Sequence, residues 1–93
     1  MSWRGSVSKH LRELRIHLCQ TSPASQGVRD FVHKSYPVLK SANPSLPILV
    51  REAAGVRPTI YARYEHGKER KVSVENMNAG EVEKQVERLA TEQ

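Results

Sequence analysis

An α/β domain with a four-stranded mixed sheet and two helices, in the order β-α-β-β-β-α, is what this sequence predicts, and three observations carry the prediction. Leu14, Ile16 and Leu18 alternate with Arg15, His17 and Cys19, the period of two that marks a strand with one apolar face. A helical stripe from Val28 to Leu39 separates that strand from a second apolar run. A crossover of more than about a dozen residues makes the first two strands parallel and right-handed. Beyond it, two strand-like runs flank His66-Gly67, which predicts a hairpin. The 93 residues make one small domain with one thin core. Apolar residues at 38% and charged residues at 27% suit a folded chain and exclude a disordered or fibrous one.

Taken in order, the first strand is broken by Gln20–Ser25, where Thr, Ser and Pro suit a turn or a helix start. Val28, Phe31, Val32, Tyr36 and Leu39 then fall on one face of an amphipathic helix. Pro37 lacks the N–H that its turn requires, so a kink or stop is expected near Tyr36, and Asn43-Pro44 closes the segment. Leu46-Pro-Ile-Leu-Val50 is a continuous apolar run and reads as a strand buried on both faces, with Pro47 tolerated only at its beginning. Ala53–Arg57 is a connection, Pro58–Tyr64 restores strand composition, and Lys71–Val74 is the hairpin partner. In the last helix Asn78 is the N-cap and Glu81 reaches back to its N–H, with Met77 and Val82 as a hydrophobic staple. Val82, Val86, Leu89 and Ala90 share its buried face. Glu83 and Glu87 repel, as do Lys84 and Arg88, so packing rather than surface charge must hold it.

The net charge of +5 is unevenly divided: residues 1–71 carry thirteen Lys+Arg and five Asp+Glu, residues 72–93 two and five. A basic body points to an acidic partner, whether nucleic acid, anionic membrane or protein. Residues 1–10 read as a basic N-terminal arm and 11–93 as the domain. The opening carries Ser and no acid before Glu13, a composition compatible with mitochondrial import, and it lacks the apolar centre of a secretory signal. The longest stretch without Lys, Arg, Asp or Glu is thirteen residues, Ile16–Val28, too short to cross a membrane. Cys19 is the single cysteine, which excludes an intramolecular disulfide.

The arrangement resembles thioredoxin with its middle helix reduced to a loop. Cys19-Gln-Thr-Ser22 stands where thioredoxins carry Cys-x-x-Cys, and Val56-Arg-Pro-Thr-Ile60 looks like the segment holding their cis-proline, which makes Pro58 the cis-proline candidate. The words Arg15–Gln20, Ser25–Phe31, Ala42–Pro44, Leu46–Glu52 and Ala62–Tyr64 are similar to one family, the thioredoxin-like accessory subunits of mitochondrial respiratory complex I. The resemblance runs from about Leu11 to the final helix. It implies a non-catalytic subunit on the matrix side of the inner membrane, docked on the large iron–sulfur subunit of the NADH-oxidising module and contributing to assembly or stability. It implies no cofactor and no small-molecule substrate. The same domain family includes mitochondrial ribosomal proteins, so contact with ribosomal RNA is the alternative. Many relatives carry a second cysteine able to pair with the first, and here that position is Ala53.

Three kinds of chemistry compete for the remaining residues. Cys19, ahead of a helix start, has the setting of an activated thiol, but exchange needs a resolving thiol and Ser22 cannot serve, which disfavours a thiol–disulfide oxidoreductase. Cys19, Ser22 and Ala53 therefore read as a vestigial redox position. His17 and Cys19, two apart in a strand, could share a metal, yet four ligands at suitable spacing are missing. A Gly-rich phosphate loop, paired carboxylates and a Ser nucleophile motif are likewise missing from the sequence. Arg51, Arg57, Arg63, Lys68, Arg70 and Lys71 beside Tyr61 and Tyr64 would suit RNA, but the two tyrosines differ by three in a strand and face opposite ways. One then belongs to the core and the other to an interface. The sharper expectation is a docking module that presents Arg15, Arg51, Tyr61 and Arg63, on an exposed edge and its loops, to an acidic protein surface.

Overall fold

Alternation in Glu13–Leu18 produces β1 with Leu14, Ile16 and Leu18 fully turned into the core. In the computed structural model, which describes residues 3–91, β1 lies at the centre of a four-stranded sheet ordered β2-β1-β3-β4. β2 (Ile48–Glu52) runs parallel to β1, while β3 (Thr59–Arg63) is antiparallel to it and to β4 (Glu69–Ser73). The predicted strand senses are those observed, and so is the β-α-β-β-β-α order from β1 onward. The hairpin closes through His66 (φ 63°) and Gly67 (φ 75°), two left-handed residues in succession.

Ahead of β1, Trp3–Ser6 makes a short 3-10 turn and α1 (Val7–His10) follows it. The crossover helix α2 (Gln26–Ala42) buries Val28, Phe31 and Leu39. It continues through Pro37 rather than stopping near Tyr36. An interior proline costs roughly 3 kcal/mol. Contacts beyond it offset that: Leu39 is buried, the Lys40 ammonium donates to the Leu46 carbonyl at 2.7 Å, and Asn43 caps the end. At the other end of α2, Gly27 lies against the loop before α3 (Ala79–Thr91); a Cβ there would stand 1.7 Å from the Met77 carbonyl oxygen. Only glycine permits that approach.

α3 forms as its local signals dictate. Glu81 N–H donates to Asn78 Oδ1 (2.9 Å) and Asn78 N–H to Glu81 Oε1 (3.0 Å), the reciprocal capping box. Val82, Val86, Leu89 and Ala90 are its buried residues. Tyr64 is in the core and donates its hydroxyl to the Leu89 carbonyl at 2.5 Å, tying the hairpin to α3.

Two further expectations are corrected. The segment 1–10 is not an arm over its described part, since Val7 and Leu11 are buried in the core and Arg4 pairs with Glu83 on α3. Buried Asn43 holds the segment by accepting from Ser8 N–H (3.0 Å) and donating to the Arg4 (2.7 Å) and Leu39 (3.0 Å) carbonyls. Met1 and Ser2 lie outside the described residues. β2 is an edge strand, so it is not buried on both faces: Ile48 is buried, Leu49 and Val50 are half-buried, and Arg51 and Glu52 are exposed.

Candidate functional site

Register decides what the sheet shows to solvent. α2 and α3 pack over the side carrying Leu14, Ile16, Ile60 and Ala62. The alternate residues form cross-strand rows on the opposite side. Arg15 lies between Leu49 and Tyr61, with Lys71 beyond; His17 lies between Arg51 and Thr59; Glu13 pairs across to Arg63, which meets Glu69. The four interface candidates, Arg15, Arg51, Tyr61 and Arg63, therefore share one sheet face, at successive positions on three strands. Of the edge and loops expected from the sequence only Arg51 belongs to an edge strand; strand parity places all four on the flat side of the sheet.

The face is organised before any partner arrives. The Arg15 guanidinium stacks 4.9 Å from the Tyr61 ring, donates to Glu69 Oε2 at 2.6 Å and pairs with Glu13 through Nε at 3.1 Å. The His17 ring also lies against Tyr61, with centroids 4.7 Å apart. Arg63 is half exposed and approaches Glu13 only to 3.9 Å. Arg51 and Lys71 are exposed and have no hydrogen-bond or ion-pair partner among the described residues. So a fixed Arg–Tyr–His stack sits among exposed cations whose charge is not neutralised within the described chain.

Sequence reasoning misses Glu13, His17 and Glu69 as members of this face. Parity within β1 carries a signal for the first two. Glu69 is set by the hairpin register, which no local pattern reveals.

Cys19, Ser22 and Ala53, the expected vestigial redox position, lie in the segments beyond the last residues of β1 and β2. Cys19 follows the strand and is buried at 4% exposure. Its sulfur accepts from Gly55 N–H at 3.4 Å and lies 3.8 Å from the Thr21 hydroxyl. Hydrogen bonds from the backbone N–H groups of Thr21, Gly55 and Ser22 lower the thiol to about 7, against the opposing effect of burial. Ser22 is occupied as a cap, its hydroxyl accepting from Ala24 N–H at 3.2 Å. Ala53 N–H donates to the Leu18 carbonyl at 3.1 Å, which sets the loop 53–55 beside the thiol. Ser25 Oγ accepts from Cys19 N–H (3.2 Å), and Arg29 donates to the carbonyls of Cys19 (2.7 Å) and Ser22 (2.9 Å). Arg29, which no sequence pattern singles out, thus fastens the end of β1 to the start of α2.

His17 faces Tyr61 while the Cys19 sulfur faces Thr21 and Gly55, so the two side chains have different surroundings, and no group of three or more His, Cys, Asp or Glu stands close enough to hold a metal among the described residues. The peptide bond before Pro58 is trans, as are all others among the described residues, which corrects the cis-proline candidate. Pro58 leads into β3 and its carbonyl accepts from Val74 N–H at 3.0 Å; this geometry is compatible with the trans form favoured by about 0.5–1 kcal/mol.

Residues 28–79 match the model of the mitochondrial ribosomal protein L51 / S25 / CI-B8 domain. The chain is 53% identical over 89 residues to NADH dehydrogenase [ubiquinone] 1 alpha subcomplex subunit 2 of Arabidopsis thaliana, covering 96% of this chain and 92% of that protein. It is 57% identical over 72 residues to the protein of the same name from Mus musculus, covering 77% and 73%. To the NADH-ubiquinone oxidoreductase 10.5 kDa subunit of Neurospora crassa it is 42% identical over 89 residues, covering 96% and 95%. Identity of this degree, sustained over nearly the whole chain, shows that the chain belongs to the family of NADH dehydrogenase [ubiquinone] 1 alpha subcomplex subunit 2.

Proposed function

We propose that this chain is a non-catalytic accessory subunit of mitochondrial NADH:ubiquinone oxidoreductase. It sits in the peripheral arm on the matrix face of the inner membrane and docks on the large iron–sulfur subunit. The observation that carries the reading is the near full-length identity to subunits of that enzyme. The uncovered sheet face supplies the means. Arg51 and Lys71 attract an acidic surface and orient it at long range. Tyr61, fixed by Arg15 and His17, offers rigid apolar area that loses little side-chain freedom on contact. Arg63 and Arg15 can fork to carboxylates of the partner as water leaves.

The absence of a thiol at Ala53 supports a structural rather than a redox role, since Cys19 has no partner within the chain for disulfide exchange. Native separation of mitochondrial complexes followed by mass spectrometry tests the reading. The chain should migrate with the NADH-oxidising complex. Co-sedimentation with a ribosomal subunit would instead favour the RNA-contacting branch of the same domain family.

A further inference from the structure

We infer that the cleft between α1 and the β3–β4 hairpin is a binding site for a phosphate-bearing small molecule, held as a ligand rather than turned over. The cleft measures about 600 Å³, within the range of small-ligand sites, and of its lining only Glu69 also reaches the sheet face, where it holds Arg15. Its cations come from two separate elements, Lys9 from α1 and Lys68 and Arg70 from the hairpin, and the His10 and His66 rings also line it. The side chains of Lys9 and Lys68 have no hydrogen-bond or ion-pair partner among the described residues.

Two acids also line the cleft, but both are already engaged. Glu65 pairs with Arg12, and Glu69 with Arg15. The surplus inside is therefore positive. Tyr64 is fixed in place by its bond to the Leu89 carbonyl, so part of the lining cannot collapse into the space.

A phosphate fits this arrangement better than a carboxylate. It carries up to two charges and three terminal oxygens, enough acceptors to engage ammonium groups from both elements at once. A single carboxylate carries one charge, which one cation satisfies, and would leave the rest of the cluster unneutralised.

The test is titration of the isolated 93-residue chain with inorganic pyrophosphate and, separately, with ADP, followed by amide NMR. Saturable shifts should map to residues 9–10 and 64–70 and weaken as salt is raised. The double variant Lys9→Glu/Lys68→Glu should lose about tenfold or more in affinity, the 1.4 kcal/mol expected of a lost charge-assisted contact. Arg51→Glu, on the sheet face, should bind as the parent does. Tighter binding of ADP than of pyrophosphate would identify a nucleotide, and equal or weaker binding a free polyphosphate; either outcome supports a phosphate site. Absence of saturable shifts with both probes would overturn the inference. So would shifts that survive the double variant, or that Arg51→Glu abolishes equally. None of these outcomes depends on assembly into the respiratory enzyme, so failure here and failure of the docking reading remain distinguishable.

Discussion

Tyr64 joins two elements through one hydroxyl. Burial pushes that phenol above its ordinary range, and the bond to the Leu89 carbonyl satisfies it where water cannot. Tyr64→Phe should cost about 1 kcal/mol in chemical denaturation, the net worth of a hydrogen bond, with the sheet face unchanged. Cys19 yields a second prediction at this scale. Its thiol is lowered from 9.0 to about 7 by backbone N–H donors. A lowered acid stabilises the folded state fully above the unfolded value, and that contribution fades as pH falls through the folded one. The stability gap between the parent and Cys19→Ser should therefore widen as pH rises from about 7 to 9. A gap that stays constant across this range would refute the thiolate cradle.

Elements are decided by contacts that single residues announce unequally. Gly27 permits α2 to touch the loop before α3, so Gly27→Ala must displace the Met77 backbone. Overpacking of this kind should cost about 1–3 kcal/mol, read as a lowered denaturation midpoint. Asn43 joins the end of α2 to residues 4 and 8, and Asn43→Ala should accelerate hydrogen exchange at Ser8 before it affects β1. The last helix is fully legible in the sequence, because its cap, staple and apolar stripe all lie within thirteen consecutive residues or just ahead of them. α1 is not, since four residues are too few to show a helical period. Helix α2 persists past Pro37 because Leu39 and Asn43 find distant partners, which local propensity cannot register. The edge position of β2 follows from strand order, to which the composition of Leu46–Val50 is blind.

For the whole molecule, helices layered on one side of the sheet leave the other side uncovered. Parity makes Tyr61 and Arg63 legible as sharing a face of β3, whereas their approach to Arg15 waits on the β1–β3 register, and the bond from Arg15 to Glu69, 54 residues apart, on the hairpin register. Charge reversal at the two exposed arginines, Arg51→Glu with Arg63→Glu, should reduce incorporation several-fold while leaving stability within about 0.5 kcal/mol of the parent. The most direct measurement is amine labelling of the assembled respiratory enzyme, comparing Lys71 on the uncovered face with Lys34, exposed on the outer side of α2. Lys71 should become protected relative to the free chain while Lys34 stays reactive. Labelling of Lys71 as rapid in the assembly as in the free chain would contradict it.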